Sequence, residues 1–263
     1  MSIMFCDTNL ELWHTKVEEL GLKVIYMPYL IDNEEKIYDL GKTMDFKGFY
    51  NAIRNGSVPL TQALNPQNYI DYFEKYLKEG HDILYIHFSH LLSGTFEYMK
   101  TAIAELKQKY PNQKITTVDT LSISIGATAL LYEAAKLHKQ GASDEEVVKF
   151  VEEHRNHYLA YFVVDDLYHL KRGGRLSGTK AFIGTMMNVK PILSINSIGA
   201  ITALDKSAGK KKALLNMLEK IKEEGLNLLD HIIIVAHADA ESDAMFLVNK
   251  IKEYASEEID IWI

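Results

Sequence analysis

Cys6 is the only cysteine in this 263-residue chain, which excludes an intramolecular disulfide and any cysteine-rich metal site. No apolar run approaches the roughly 20 residues that a spanning helix needs, so stable membrane insertion is not expected. The opening MSIMFCDTN lacks the basic flank and long apolar stretch of a secretory leader. Positive charge is in deficit: 29 Lys and Arg stand against 36 Asp and Glu, a formal net charge of −7. Such a surface is not built to hold nucleic acid. A cytoplasmic protein is the expectation. The nucleotide fingerprints G-x-G-x-x-G and G-x-x-x-x-G-K-[ST] are absent, as is the H-E-x-x-H zinc signature. Neither a cofactor nor a metal is expected. No repeat and no low-complexity linker interrupts the chain.

What is present is ordinary for a globular protein: 47% apolar and 25% charged residues, enough to bury a core in one large domain or two modest ones. The first half alternates strand-like and helix-like pieces. Strands are expected at 2–8, 22–31, 82–88 and 114–120, with DNEEK after residue 31 read as a polar turn. Helices are expected at 10–21, 45–56, 66–79, 95–110, 124–141 and 143–158. Several carry their own punctuation: Gly21, Gly80 and Gly141 close helices, Asn65-Pro66 opens one, and Ser143 with Glu146 forms a capping box. Strands alternating with helices of this length argue for βαβ units and a parallel sheet. Past residue 158 the pattern changes to a strand, a basic glycine turn and two strands around Asn196-Ser197-Ile198-Gly199. Helix 209–224, strand 231–238, a helix near 240–255 and a closing strand IDIWI follow. The fold class is therefore α/β in two domains. Residues 1–158 form an N-terminal, Rossmann-like parallel-sheet domain, and 159–263 a C-terminal α/β domain with a mixed sheet.

In an open parallel sheet, ligands sit beyond the carboxyl ends of the strands, where helix N-termini also point. Three junctions fit: Asp7-Thr8, Ser89 to Thr95, and Asp119 to Ser124. The second is the richest. Ser93, Gly94 and Thr95 can offer hydroxyls and free N–H groups at the positive end of a helix dipole to a carboxylate or phosphate. The same residue types also serve plain N-capping, and both readings stay open. A nucleophilic serine is the weaker reading, because LSGTF is not the G-x-S-x-G elbow. His87 and His90 straddle a strand-to-loop junction without a carboxylate pattern, which disfavours a metal. Thr61 and Gln62, in the polar break VPLTQALNP between two helices, have no capping job, since Asn65 does that; a loop hydroxyl without a structural role hints at function. KRGGR at 171–175 makes a cationic turn in an acidic chain, a surface turn or a docking point for a phosphate or acidic partner.

Together these pieces resemble the DegV proteins, bacterial fatty-acid-binding proteins that include the FakB subunits of fatty acid kinase. The likeness runs from Asp7-Thr8 through SVPLTQ, FSHLLSGTFE, VDTLSISIGA and VVDDLYHLKRGGRLSG to GTMMNVKPILSINSIGAI, roughly residues 3 to 213. The resemblance implies two α/β domains enclosing a long-chain fatty acid such as palmitate, stearate or oleate. It implies a head group held by Ser93 and Thr61 with Gly94, Thr95 and Gln62 beside them, and the tail covered by the C-terminal domain. It also implies a non-enzymatic carrier whose ligand is phosphorylated by a separate fatty acid kinase, with Arg172 and Arg175 where the docking arginines of the family lie. Departures are visible. The family's Thr-Ser-Gln-Pro-Ser loop is here Leu60-Thr61-Gln62-Ala63-Leu64, and Ala208 stands near the place of a basic-turn arginine. The family closes on a Gly-Thr-His-x-Gly-Pro-Gly segment whose histidine joins the head-group site. The sequence ends at Ile263, ahead of that segment, so an incomplete head-group constellation is expected.

Two other readings follow from the same residues. One is an enzyme acting on a small phosphorylated or carboxylated metabolite at these strand ends, which would need a perturbed acid such as Asp7, Asp119 or Asp165. The other is a degenerate family member that has lost its ligand.

Overall fold

The computed structural model describes residues 2–175, 189–224 and 227–263. Leu176-Ser177-Gly178 and 184–188, which carry part of the sequence motifs, lie outside the described residues. The chain divides into two compact units, Met1–Tyr158 and Leu159–Ile263.

In the first unit a four-stranded sheet has the order β2-β1-β6-β7. Its strands are β1 (Ile3–Asp7), β2 (Lys23–Ile25), β6 (Ile83–His87) and β7 (Ile115–Asp119), all parallel. Strand β6 is buried at all five positions, the continuous apolar run of a strand covered on both faces. Around the sheet pack α1 (His14–Leu20), α3 (Pro66–Lys78), α4 (Thr95–Lys109), α5 (Ile125–Lys139) and α6 (Asp144–His154). Helix α3 starts where Asn65 and Asn68 exchange side-chain-to-backbone bonds, with Pro66 supplying a fixed φ at the first position. It buries Tyr69, Ile70, Phe73 and Leu77, and Phe73 meets Phe5 edge-on at 5.1 Å between ring centroids. Helix α5 buries Ala127, Ala134 and Ala135, small side chains that let it lie close. Ser143 and Glu146 cap α6 reciprocally, as expected.

The expected strand 22–31 is two strands in two sheets. After β2 the backbone N–H of Tyr26 donates to the Tyr72 hydroxyl and that of Met27 to Thr8 Oγ1, and both groups leave the ladder. Pro28, which has no N–H, then opens β3 (Pro28–Ile31) of a separate antiparallel sheet, β4-β3-β5. The stretch read as a polar turn contains only a two-residue turn, Asp32 and Asn33 at φ 51° and 65°. Both values are positive, as the hairpin turn of type I′ requires. Glu34–Ile37 continue as β4, whose charged, exposed residues hid an edge strand. The polar break expected around Thr61 is likewise strand: β5 (Leu60–Thr61) pairs Thr61 with Tyr29. Helix α2 (Phe46–Arg54), capped by Asp45, lies between β4 and β5 in sequence.

The second unit contains β8 (Tyr161–Val163), α7 (Leu167–Arg172), β9 (Val189–Ile195), β10 (Ile201–Ala208), α8 (Lys210–Glu223), β11 (Ile233–Ile234), α9 (Glu241–Tyr254) and β12 (Ile261–Trp262). Strands β10-β9-β8 form an antiparallel sheet, and β11 pairs with β12 in parallel, so both kinds of pairing occur in two separate sheets. The strand expected at 231–238 shrinks to two residues. Ile192, Leu214, Met217, Leu247, Val248 and Ile251 build this unit's core. The expected hairpin forms as Asn196 Oδ1 accepts from the Ile198 and Ala200 N–H groups, with Gly199 at φ 89°.

Phe73→Ala removes a fully buried ring wedged between Phe5, Tyr69 and Tyr85. It is expected to cost about 3–5 kcal/mol in denaturant unfolding of the first unit.

Candidate functional site

The carboxyl ends of β1, β6 and β7 meet in one cross-tied rim. The Thr120 N–H and hydroxyl both donate to the His87 carbonyl at 3.0 Å. The Ser89 N–H donates to the Ser122 carbonyl at 2.7 Å, and the Ser124 N–H to the Asn9 carbonyl at 2.7 Å. Ser124 sits at φ 54° and ψ −144°, a conformation that glycine ordinarily supplies. It is held there by that backbone bond and by its hydroxyl, which donates to Glu11. The rim brings together all three junctions singled out in the sequence.

Asp7 is the buried hub of the rim. Its Oδ1 accepts from the Asn9 N–H at 2.9 Å, and its Oδ2 from the Tyr85 hydroxyl at 3.0 Å and the Phe88 N–H at 3.2 Å. Burial pushes its carboxyl up to about 7, against the lowering effect of those donors. Asp7 is thus the perturbed acid that an enzymatic reading asked for, but it is 1% exposed and every donor it meets belongs to the protein frame. His87 Nδ1 is 2.8 Å from the Phe88 carbonyl and so carries the proton; burial holds this histidine below its ordinary value. His90 Nδ1 lies 2.6 Å from Asp119 Oδ2. Among the described residues, no cluster of three or more His, Cys, Asp or Glu side chains is placed to hold a metal ion.

The turn after β6 ends at Ser93, and Gly94 caps α4, a helix of 15 residues. Ser93 Oγ accepts from the Thr95 N–H at 3.2 Å, a short internal cap. Gly94 has φ −72° and ψ −4°, ordinary for any residue, and a Cβ built there would meet nothing within 4 Å. Neither its backbone conformation nor packing among the described residues therefore requires glycine at this position. Thr95 is different. Its Oγ1 accepts from the Leu64 N–H at 3.1 Å, donates to the Leu64 carbonyl at 3.4 Å, and lies 2.9 Å from the Tyr69 hydroxyl. Because the Thr95 proton goes to Leu64, Tyr69 must donate to Thr95. This buried hydroxyl is a rivet that fastens the segment after Thr61 to the start of α4. Thr61 itself is exposed, and the Gln62 N–H donates to the Pro28 carbonyl at 3.0 Å.

In the second unit, the basic turn closes α7. Gly174 adopts φ 76°, which a side chain would strain, and the Arg175 N–H returns to the Leu170 carbonyl at 3.2 Å. Arg172 is exposed, 3.8 Å from Asp166, whereas Arg175 is half-buried and its guanidinium folds back to the Gly173 carbonyl. Burial alone would raise Asp165, but the Lys210 and Lys190 ammoniums bring it below its ordinary value. A recess of about 240 Å³ lined by His14, Val17, Leu22, Tyr26 and Leu40 shares no residue with the rim.

The sequence missed the Thr95 rivet and the His90–Asp119 bond, which join residues 31 and 29 positions apart. No local pattern signals such pairings. Asp7 was marked as a strand end and as a candidate perturbed acid, but its place as the buried hub of the rim was not read from the sequence.

A DegV family model matches residues 4–263. A DegV domain-containing protein of Clostridium perfringens is 37% identical over 251 residues, covering 95% of this chain and 86% of the relative. Among solved structures, the chain is similar to DegV from Bacillus subtilis, described as a fatty acid binding protein. That likeness has TM-score 0.83 and 27% identity, over 99% of this chain and 90% of that one. It is also similar to a DegV family protein from Ruminococcus gnavus solved with vaccenic acid, at TM-score 0.84 and 25% identity, over 100% and 92% of the two chains. No helix among the described residues is long and apolar enough to cross a membrane.

Two expectations follow. Thr95→Val leaves the buried Leu64 N–H and Tyr69 hydroxyl without their partner and should cost about 1–3 kcal/mol in denaturant unfolding. Asp7 is raised in the folded state, so the stability it contributes is fully present below about 4, its unfolded value. That contribution is lost as pH rises through about 7. Unfolding free energy measured from pH 5 to 8 should therefore fall more steeply for wild type than for Asp7→Asn, by up to about 1.4 kcal/mol per pH unit.

Proposed function

The chain belongs to the DegV family, and from that membership we propose that it binds a long-chain fatty acid and presents it to a separate fatty acid kinase. The observation that carries the head-group assignment is the opening of α4. Ser93 offers a hydroxyl at the positive end of a long helix, and the described residues leave the space above Gly94 open. A carboxylate there meets the Ser93 hydroxyl and the Gly94 backbone at close range, with the exposed Thr61 as second hydroxyl donor and Gln62 beside it. The Thr95 hydroxyl keeps the cradle in shape by holding Leu64. The first unit takes the head group in this reading, and the second covers the tail.

Energetics divide the labour. Burying about 14 methylenes at about 0.8 kcal/mol each gives roughly 11 kcal/mol gross. Each head-group bond to a charged oxygen adds about 1.5–3 kcal/mol. The tail sets affinity, while Ser93 and Thr61 set orientation and leave the carboxylate accessible to a partner. The role is binding rather than catalysis: Asp7 and Asp119 are engaged by backbone N–H groups, and Asp165 by two lysines. Arg172, exposed like Lys171 beside it, is the contact assigned to the kinase, with Arg175 shaping the turn from within.

Organic extraction of the purified protein, followed by mass spectrometry, should release long-chain fatty acids. An empty extract together with no uptake of added oleate or palmitate would overturn the reading. Gly94→Ala should fold as stably as wild type, because nothing in the protein opposes the added methyl, yet bind oleate at least about tenfold more weakly. Ser93→Ala should weaken oleate by about tenfold or more while leaving most of the tail affinity in place.

A further inference from the structure

Asp119 holds the start of the turn that delivers Ser93, beside the backbone bond from Ser89 to Ser122. His90 opens the 3₁₀ turn His90–Leu92, and Ser93 is its other boundary. Asp119 Oδ2 accepts twice from that one residue, from the His90 backbone N–H at 3.1 Å and from its ring Nδ1 at 2.6 Å. An ionised carboxylate can only accept, so the imidazole is the donor and Nδ1 bears the proton. Asp119 is itself fixed: its Oδ1 takes the Leu121 N–H at 2.7 Å, and its carbonyl takes Arg155 Nη1 at 3.0 Å. One side chain at the end of β7 thus holds the start of the β6–α4 turn and its own following loop.

The other end of the turn is held differently. Leu92 is buried, and Thr95 is riveted to Leu64 and Tyr69. Between these anchors Ser93 has extended backbone angles and makes only a 3.2 Å internal bond to the Thr95 N–H. Where its hydroxyl points therefore depends on where the turn begins. The His90 side chain is 52% exposed, so shortening it opens no cavity and removes the ring bond of the clamp, leaving the backbone N–H bond to Asp119 in place.

We infer that His90 and Asp119 are a positioning pair: they fix the turn so that Ser93 meets the ligand carboxylate, and they thereby set how long an acid is retained. The inference rests on the fatty-acid reading above and adds to it two residues outside the cradle of Ser93, Gly94, Thr95, Thr61 and Gln62. Their influence passes through Ser93, so it reaches the carboxylate and not the acyl chain.

The test uses the full chain as wild type, His90→Ala, His90→Asn and Asp119→Asn, loaded with oleic acid or with oleyl alcohol, which has the same tail and no carboxylate. Release is followed by transfer to a labelled albumin acceptor. His90→Ala should release the acid about three- to tenfold faster and the alcohol at the wild-type rate. His90→Asn, whose amide N–H can stand in for Nδ1–H, should restore acid release to within about twofold of wild type. Asp119→Asn should release the acid at least as fast as His90→Ala. If His90→Ala speeds both ligands equally, or neither, or if His90→Asn is as fast as His90→Ala, the positioning role is overturned while the binding reading stands. A wild type that retains no oleic acid overturns both.

Discussion

Strand β6 is buried along its whole length, with its backbone paired to β1 on one side and β7 on the other. That burial is the constraint from which the rest of the first unit follows. A strand covered on both faces has no place for an unpaired polar side chain, so polarity must begin where the strand ends. Strand β1 is buried from Met4 to Asp7 and β7 ends beside β6 at Asp119, and three sets of hydroxyls and carboxylates are delivered to one level. Asp7 shows the cost of the arrangement. Its carboxyl lies in the apolar interior and is held by three protein donors, and burial still moves it far from its ordinary value.

The hydroxyls on that rim divide into two populations by what already satisfies them. Thr120, Thr128 and Thr95 donate inward to backbone carbonyls and act as fasteners. Among the described residues Ser93 accepts one short-range bond and keeps its proton available, beside a glycine whose Cβ position is open. Two positions apart in LSGT, Ser93 and Thr95 therefore differ: the Ser93 hydroxyl only accepts from the Thr95 N–H, whereas the Thr95 hydroxyl faces the core. The distinction comes from packing partners, and residue type alone does not reveal it.

This division explains how far the sequence could be read. The parallel sheet was legible because its strands are apolar runs and its helices carry their own caps, such as Asn65-Pro66 and Ser143 with Glu146. The antiparallel sheet was not. Its β4 strand consists largely of exposed charges, and the apolar run 22–31 gives no sign that its N–H groups change partners at Tyr26 and Met27. At the candidate site, the junctions could be located because strand ends and helix starts have local signatures. The ties between them could not, because Thr95 to Leu64 and His90 to Asp119 are pairings across the fold.

Several of the bonds that lock the rim run from main chain to main chain: Ser89 to Ser122, Ser124 to Asn9, Thr120 to His87. A bond of that kind is indifferent to which side chain hangs beside it. The rim can therefore accept replacement of its outward side chains one at a time without losing its frame. A frame of this kind separates the folding duty of the main chain from the chemistry of the side chains it carries.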